Sequence, residues 1–501
     1  GRPDGEHIAV TDHKTAAAGA LESIQDLAVQ AARLHARYIN PVLVTLTGKS
    51  GALKTFVAGE GNYLRDAEGR RYLDLVSGFG SLNLGHNHPR VVAAIQSALA
   101  QHAPGFAQSA VNPYAAALAE QLIQIAPDSL EMVFFANSGS EAVEAALKLA
   151  RIATGRAGFL HCDRSYHGKS LGALSVTGNP NYQKPFAPLL ADCQAVPFGD
   201  VEALHAALES RRFAAFLVEP VQAEGGMIVP PDGYLREAEH VCHEFGTLLV
   251  VDEVQTGLGR TGEMFATDHD GARPDIMTLA KSLGGGLMPI GAMLCRRDLW
   301  HKAYGSLQNF ALHTSTFGGG SLACAAGLAA LKVLADEDLV ARGRARGEQL
   351  RAGLEGIAEK YQLVKQIRGR GLLLGIEFNP LPDAIMTHWK QTQAQGIGEF
   401  IAPQLGELIE SIPALYTMHN LLQEFGIYTQ VARSHAMVLR IQPPLTITAE
   451  EVDQVLAAVD RVIGSIDFAK NVVNDLISKS TLGTHEGGKD RSGQAIDQTI
   501  A

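Results

Sequence analysis

The stretch Leu248-Leu249-Val250-Val251-Asp252-Glu253-Val254-Gln255-Thr256-Gly257 decides the fold. Four apolar residues run directly into two carboxylates and an amide. A run that is apolar on both faces reads as a strand of a sheet covered on both sides. In open α/β sheets the chemistry gathers beyond the carboxyl ends of strands. One carboxylate at such an end could pair with a cationic ring nitrogen. The plain alternative is a helix cap or a surface-loop acid. Working outward, Met132–Phe135 and Ala214–Val218 repeat the apolar run, and helical stretches such as Ser140–Ala153 alternate with them. Such alternation predicts an α/β fold with a largely parallel sheet.

Downstream lies Asp275-Ile276-Met277-Thr278-Leu279-Ala280-Lys281-Ser282-Leu283-Gly284-Gly285-Gly286. Lys281 sits between an apolar run and a glycine-rich turn. An uncompensated ammonium is costly in the interior. A lysine held there has its pKa lowered and becomes able to form a Schiff base. A lone lysine at a strand end more often snorkels to solvent. Upstream, Phe134-Phe135-Ala136-Asn137-Ser138-Gly139-Ser140-Glu141-Ala142 reads as a strand, a small polar turn and a helix start. The N–H groups and dipole of a helix N-terminus make an anion site, and Ser140 could add a hydroxyl. Ser138 or Ser140 is equally suited to be an N-cap.

Two decoys need weighing. Gly257-Leu258-Gly259-Arg260-Thr261-Gly262 matches G-x-G-x-x-G after a strand. A dinucleotide site needs a helix opening at that turn, and Glu263–Gly271 lacks apolar helical spacing. His86 and His88, or His161 and His167, lack the i, i+4 spacing of a zincin. No metal is expected, and these histidines read as structural or substrate-facing.

Composition sets bounds. The 501 residues, 46% hydrophobic, suffice for two or more domains. A net charge of −11 gives no polybasic case for nucleic acid or anionic membrane. Five scattered cysteines form no C-x-x-C pair, which fits a reducing compartment. No apolar signal region or membrane span is read, so a cytoplasmic location is expected. Residues 20–39 read as a helix with Leu21, Ile24, Leu27, Ala28 and Ala31 on one face, stopped at Asn40-Pro41. Residues 56–64 and 71–76 read as strands, and residues 470–501 as a mobile tail.

Taken together, the ordered set resembles the class III aminotransferases, pyridoxal-phosphate (PLP) enzymes of fold type I. The matching text is Leu84-Gly85-His86-Asn87-His88-Pro89, Asn137-Ser138-Gly139-Ser140-Glu141-Ala142, Tyr166-His167-Gly168, Val218-Glu219-Pro220 and Glu224-Gly225-Gly226. It continues with Asp252 to Gly257, Ala280-Lys281 and Thr314-Ser315-Thr316-Phe317-Gly318-Gly319. The resemblance spans roughly residues 40–465. It implies a large domain with a mainly parallel seven-stranded sheet flanked by helices, plus a smaller α+β domain. The expected division is 1–40 as an extension with a helix, 41–100 as the first part of the small domain, and 101–343 as the PLP domain. Residues 344–466 complete the small domain, with an insertion at about 379–424, and 467–501 form the tail. In the insertion, 397–422 shows helix-like spacing interrupted by Pro403 and Pro413.

The same resemblance implies residue roles. Lys281 would link covalently to PLP and shuttle the proton. Asp252 would keep the pyridine nitrogen protonated, Gln255 would bond the phenolic oxygen, and Tyr166 would stack on the ring. Gly139 and Ser140 would hold the phosphate. Ser138, His167 and Glu219 would complete the cofactor set. Thr316 would reach the phosphate in a neighbouring subunit, which implies a homodimer. Arg440, in Leu439-Arg440-Ile441-Gln442-Pro443-Pro444, would bind a substrate carboxylate. Glu224 would pair with it when no such carboxylate is present. Phe79 and Lys169 would face substrate.

Within the class, Tyr166–Leu174, His313–Gly319 and Arg440–Thr446 look most like the putrescine aminotransferases. Ornithine and acetylornithine aminotransferases are more distant. The expected reaction is ping-pong transfer between a primary amine, such as a diamine, and 2-oxoglutarate. The alternatives are a pathway enzyme aminating a larger aldehyde or ketone, or an ornithine-type enzyme.

Overall fold

A computed structural model of the chain describes residues 23–49, 52–105, 110–380 and 410–482. The chain divides into two units, Gly1–Ala58 with Leu64–Arg71, and Gly59–Tyr63 with Tyr72–Ala501.

In the first unit, the helix Ile24–Tyr38 starts where Ser23 Oγ accepts the Asp26 N–H at 3.2 Å. Asn40-Pro41 ends it as expected, but a second helix, Pro41–Lys49, begins at once. Proline is suited to the first helical position because that N–H needs no partner. Further along the chain, the run 56–64 is two strands, Phe56–Glu60 and Tyr63–Asp66, with Gly61 at φ +55° between them.

The second unit holds the seven-stranded sheet. Its strands are β1 (Met132–Ala136), β2 (Gly158–Cys162), β3 (Cys193–Val196), β4 (Phe213–Val218), β5 (Leu248–Asp252), β6 (Ile276–Leu279) and β7 (Gly291–Cys295). The spatial order is β1-β7-β6-β5-β4-β2-β3. Only β7 runs antiparallel to its neighbours. The apolar runs are buried on both faces because alternate residues serve different cores. On β5, Leu248 and Val250 join Val143 and Leu147 of the helix Gly139–Thr154. Leu249 and Val251 join Leu235 and Val241 of the helix Tyr234–Glu244. Each such side chain contributes roughly 1.5–3 kcal/mol through burial.

A second sheet brings together Val364–Arg370, Leu373–Phe378, His435–Ile441 and Val431–Ala432. Leu439 and Ile441 point into the largest core cluster, shared with Leu350, Leu354, Val455 and Val459 of two long helices. Arg440 lies between them on the strand and so faces the other way.

Residues 381–409, most of the expected insertion, lie outside the described residues. Its end is the helix Ile412–Phe425, with Pro413 in the first turn rather than interrupting it. The last helix, Ala449–Leu482, continues past residue 467, and the residues after it lie outside the description. Among the described residues no helix is long and apolar enough to cross a membrane. The five cysteines are unpaired.

Candidate active site

Parallel strands deliver their carboxyl ends to one edge of a sheet. Here that edge carries Asn137 and Ser138 after β1, Glu219 after β4, Asp252 ending β5, and Lys281 just beyond β6. They surround a cavity of about 420 Å³. Nine of the expected residues line it: Ser138, Gly139, Ser140, Tyr166, His167, Glu219, Asp252, Gln255 and Lys281. Because β7 is reversed, its N-terminal end meets the same edge, and the preceding residues Leu287 to Ile290 close one wall.

Asp252 is 4% exposed and its oxygens are claimed from three sides. Oδ2 lies 2.7 Å from His167 Nδ1. A carboxylate only accepts, so Nδ1 carries the hydrogen. Oδ1 accepts from Thr278 Oγ1 at 2.9 Å and from the Val254 N–H at 3.1 Å. Parallel register places Thr278 directly beside Asp252. The sequence reading missed this residue. The available signal was a hydroxyl in a wholly buried strand, which must find an acceptor. Glu219 Oε1 accepts the Tyr166 N–H at 2.8 Å. Burial, then the Asp252 charge, pushes Glu219 well above the carboxylate range, so it is the acid inclined to hold a proton.

Lys281 adopts φ +49°, a left-handed conformation that non-glycine residues hold only under constraint. Its Nζ donates to Gln255 Oε1. Burial pushes the amine down to about 8, against the pull of Glu224 and Asp252. Capture of an aldehyde needs the neutral amine. Uptake of PLP by the apoprotein should therefore accelerate with pH through a midpoint near 8. Stopped-flow absorbance measures this, and a midpoint above 10 would contradict the placement of the amine.

At the other side, Ser138 caps the helix Gly139–Thr154, its Oγ accepting the Glu141 N–H at 3.2 Å. The capping and anion-site readings hold together, since the remaining first-turn N–H groups have no intrahelical acceptor. Gly168, at φ +128°, packs so close that a Cβ would stand 2.2 Å from Ser140 Oγ. Gly168→Ala should cost about tenfold or more in PLP affinity, the equivalent of ~1.4 kcal/mol. Equilibrium dialysis against PLP decides it.

The other expected residues do not line this cavity. Phe79, Glu224 and Arg440 form a cluster of their own. Arg440 is fully buried and its NH2 donates to Glu224 Oε1 at 2.8 Å. Its guanidinium lies 5.0 Å over the Phe79 ring, with Arg433 at 5.1 Å. Burial raises the Glu224 carboxyl, but Arg440 and Lys281 outweigh that and hold it below its usual range. Phe79 belongs to a left-handed turn in which Ser77, Gly78, Phe79 and Gly80 all have positive φ. Lys169 is exposed, with Nζ 4.7 Å over the Tyr182 ring. Thr316 is exposed, next to Ser315, whose Oγ accepts from Asn137 Nδ2 at 2.9 Å.

The decoys have structural explanations. Gly257–Gly262 opens no helix; it wraps Arg260, fully buried and bonded to Leu372 O, Pro443 O and Asn83 Oδ1. His86 pairs with Asp74 at 2.9 Å and His88 with Glu337 at 3.2 Å.

The family model of class-III aminotransferases matches residues 48–463. The chain belongs to the class-III aminotransferases. The aminotransferase PigE of Serratia sp. (strain ATCC 39006) is 41% identical over 445 residues, covering 84% of this chain and 52% of that protein. The chain thus spans about half the length of that curated relative. The ornithine aminotransferase of Toxoplasma gondii ME49 superposes with a TM-score of 0.72 at 33% identity, covering 83% of this chain and 91% of that one. An amine transaminase from an uncultivated Pseudomonas species, solved in its PLP-bound form, gives 0.71 at 31%, covering 82% and 95%.

The cofactor of this class-III aminotransferase is PLP, and the cavity fits it. A lowered lysine amine suits the aldehyde, a capped helix start bare of side chains at Gly139 and Gly168 suits the phosphate, and a buried carboxylate suits a cationic ring nitrogen. His167 Nε2 is buried without a partner among the described residues and is free for a donor or acceptor in the cavity.

Proposed function

We propose that the chain moves an amino group between a primary amine, such as the diamine putrescine, and 2-oxoglutarate by a ping-pong mechanism. The observation that carries this reading is the buried Glu224–Arg440 pair near Lys281. A guanidinium is the natural ligand of a carboxylate. Glu224 occupies it while an amine lacking that carboxylate reacts, and yields it to glutamate or 2-oxoglutarate.

PLP, when bound, supplies the electron sink. Asp252, oriented by Thr278 and His167, holds the proton at the ring nitrogen. Gln255 bonds the phenolic oxygen, Tyr166 stacks on the ring, and Ser138, Gly139 and Ser140 bind the phosphate. Lys281 Nζ carries the proton to and from the substrate carbon. In a homodimer, Thr316 of the partner subunit completes the phosphate site. Phe79 limits the space beside Arg440, and Lys169 stands at the substrate side. On this reading the small domain comprises residues 41–100 and 344–466 around a PLP domain at 101–343, in a cytoplasmic enzyme.

The test is a visible absorption titration of the holoenzyme. Putrescine should bleach the band of the lysine-linked cofactor, and 2-oxoglutarate should restore it. Bleaching by glutamate alone would reject the diamine. A larger aldehyde or ketone, or ornithine, would then be the partner to test.

A further inference from the structure

Gln442 had no part in the expected site, yet it stands between the two clusters. It is fully buried. Its Oε1 accepts from Arg440 NH1 at 3.3 Å and from Gln255 Nε2 at 3.3 Å. Its Nε2 is buried without a partner among the described residues. A continuous chain of contacts therefore runs Glu224–Arg440–Gln442–Gln255–Lys281.

Donor and acceptor chemistry fixes the sense of that chain. Arginine only donates, whereas each amide offers an oxygen and an NH2. The guanidinium at one end obliges Gln442 to present its oxygen. That oxygen obliges Gln255 to turn its NH2 toward Gln442. The Gln255 oxygen is then left facing Lys281 Nζ. Turning Gln442 around would set its NH2 against the guanidinium, and turning Gln255 around would set oxygen against oxygen. The orphaned Gln442 Nε2 is the cost of this arrangement, and a buried unpaired amide is costly enough to need a reason. Backbone geometry makes room for it. A Cβ on Gly80 would lie 2.6 Å from Gln442 Nε2, so a side chain there would displace the Gln442 amide.

We propose that Gln442 is a positioning residue that couples the Arg440 carboxylate ligand to the cofactor-binding amide Gln255. It anchors Arg440 through NH1, so that NH2 alone exchanges Glu224 for a substrate carboxylate. It also fixes the orientation of the Gln255 amide beside Lys281. This inference rests on the reading of Arg440 as the carboxylate ligand.

The test uses the holoenzymes of wild type, Gln442→Met and Gln442→Asn. Methionine keeps the volume without either hydrogen bond, and asparagine keeps the amide but withdraws it by one methylene. Two readouts are taken: the pH midpoint of the visible band of the lysine-linked cofactor, and the Kd for glutarate, an unreactive dicarboxylate, from its perturbation of that band. In both variants the midpoint should move by about half a unit or more, and glutarate should bind about tenfold more weakly. Should one variant fail to retain PLP, the other decides. An unmoved midpoint with unchanged glutarate binding overturns the proposal. Arg440→Ala is the control. If it leaves glutarate binding intact, the reading of Arg440 itself fails, whereas a loss in Arg440→Ala with no change at Gln442 defeats only the coupling.

Discussion

Lys281→Ala should abolish the visible band of the lysine-linked cofactor and lower kcat by about 10⁴-fold or more. Proton transfer by a positioned side chain is itself worth about 10²–10⁴-fold, and on the proposed function the covalent hold on PLP is lost with it. The fold should survive. Removing this half-buried, pKa-lowered amine leaves Gln255 Oε1 without its donor but uncovers no apolar core. The variant should still retain PLP through the helix start and Asp252, with the spectrum of the free aldehyde. Absorbance and single-turnover kinetics check both parts. A variant that keeps within tenfold of wild-type turnover would remove Lys281 from the chemistry.

Arg440→Ala should separate the two half-reactions. Loss of a buried ligand for the carboxylate is worth ~3–4 kcal/mol, about 10²- to 10³-fold in kcat/KM with glutamate. With an amine that carries no such carboxylate, the change should stay within about tenfold. Equal losses would defeat the exchange between Glu224 and substrate. The same substitution strands a buried carboxyl, which costs roughly 3–5 kcal/mol when the partner of a buried pair is removed. The pH dependence follows from signs. In the wild type the Glu224 carboxyl sits below its ordinary value, so its stabilisation is present above the unfolded pKa and fades as pH falls through the folded one. Without Arg440, burial remains and drives the carboxyl upward. The deficit in melting temperature should therefore be larger at pH 8 than at pH 5, where the stranded group takes up a proton.

Much of this architecture is legible in the chain. An unbroken apolar run ending in Asp252 announces both a covered strand and a site at its end. Lys281 before three glycines announces a constrained amine. Both readings use local chemistry, and the cavity brings the two residues together. What was not legible depends on partners distant in sequence. β7 has the same apolar character as its parallel neighbours, and its reversal shows only in the register. Thr278 gains meaning only from the strand beside it. Gln442 is an ordinary polar residue until Arg440 and Gln255, 187 residues away, meet it. The segment 71–76 reads as one strand, yet the regular strand ends at Asp74, Leu75 still bonds Tyr428 and Gln442 through its backbone, and the chain then enters the left-handed turn Ser77–Gly80.

That turn limits how the enzyme can be altered. At position 79 the backbone holds φ +57°, where β-branched side chains are genuine outliers. Valine and isoleucine are therefore disfavoured at this site even though they keep it apolar and reduce the bulk, and threonine is disfavoured with them. Substitutions at residue 79 are best tolerated as glycine or asparagine, or as side chains not branched at Cβ such as leucine, methionine and tyrosine. On the proposed placement of Phe79 beside the substrate, the repertoire of amine donors is thereby narrowed by a backbone angle as well as by side-chain shape.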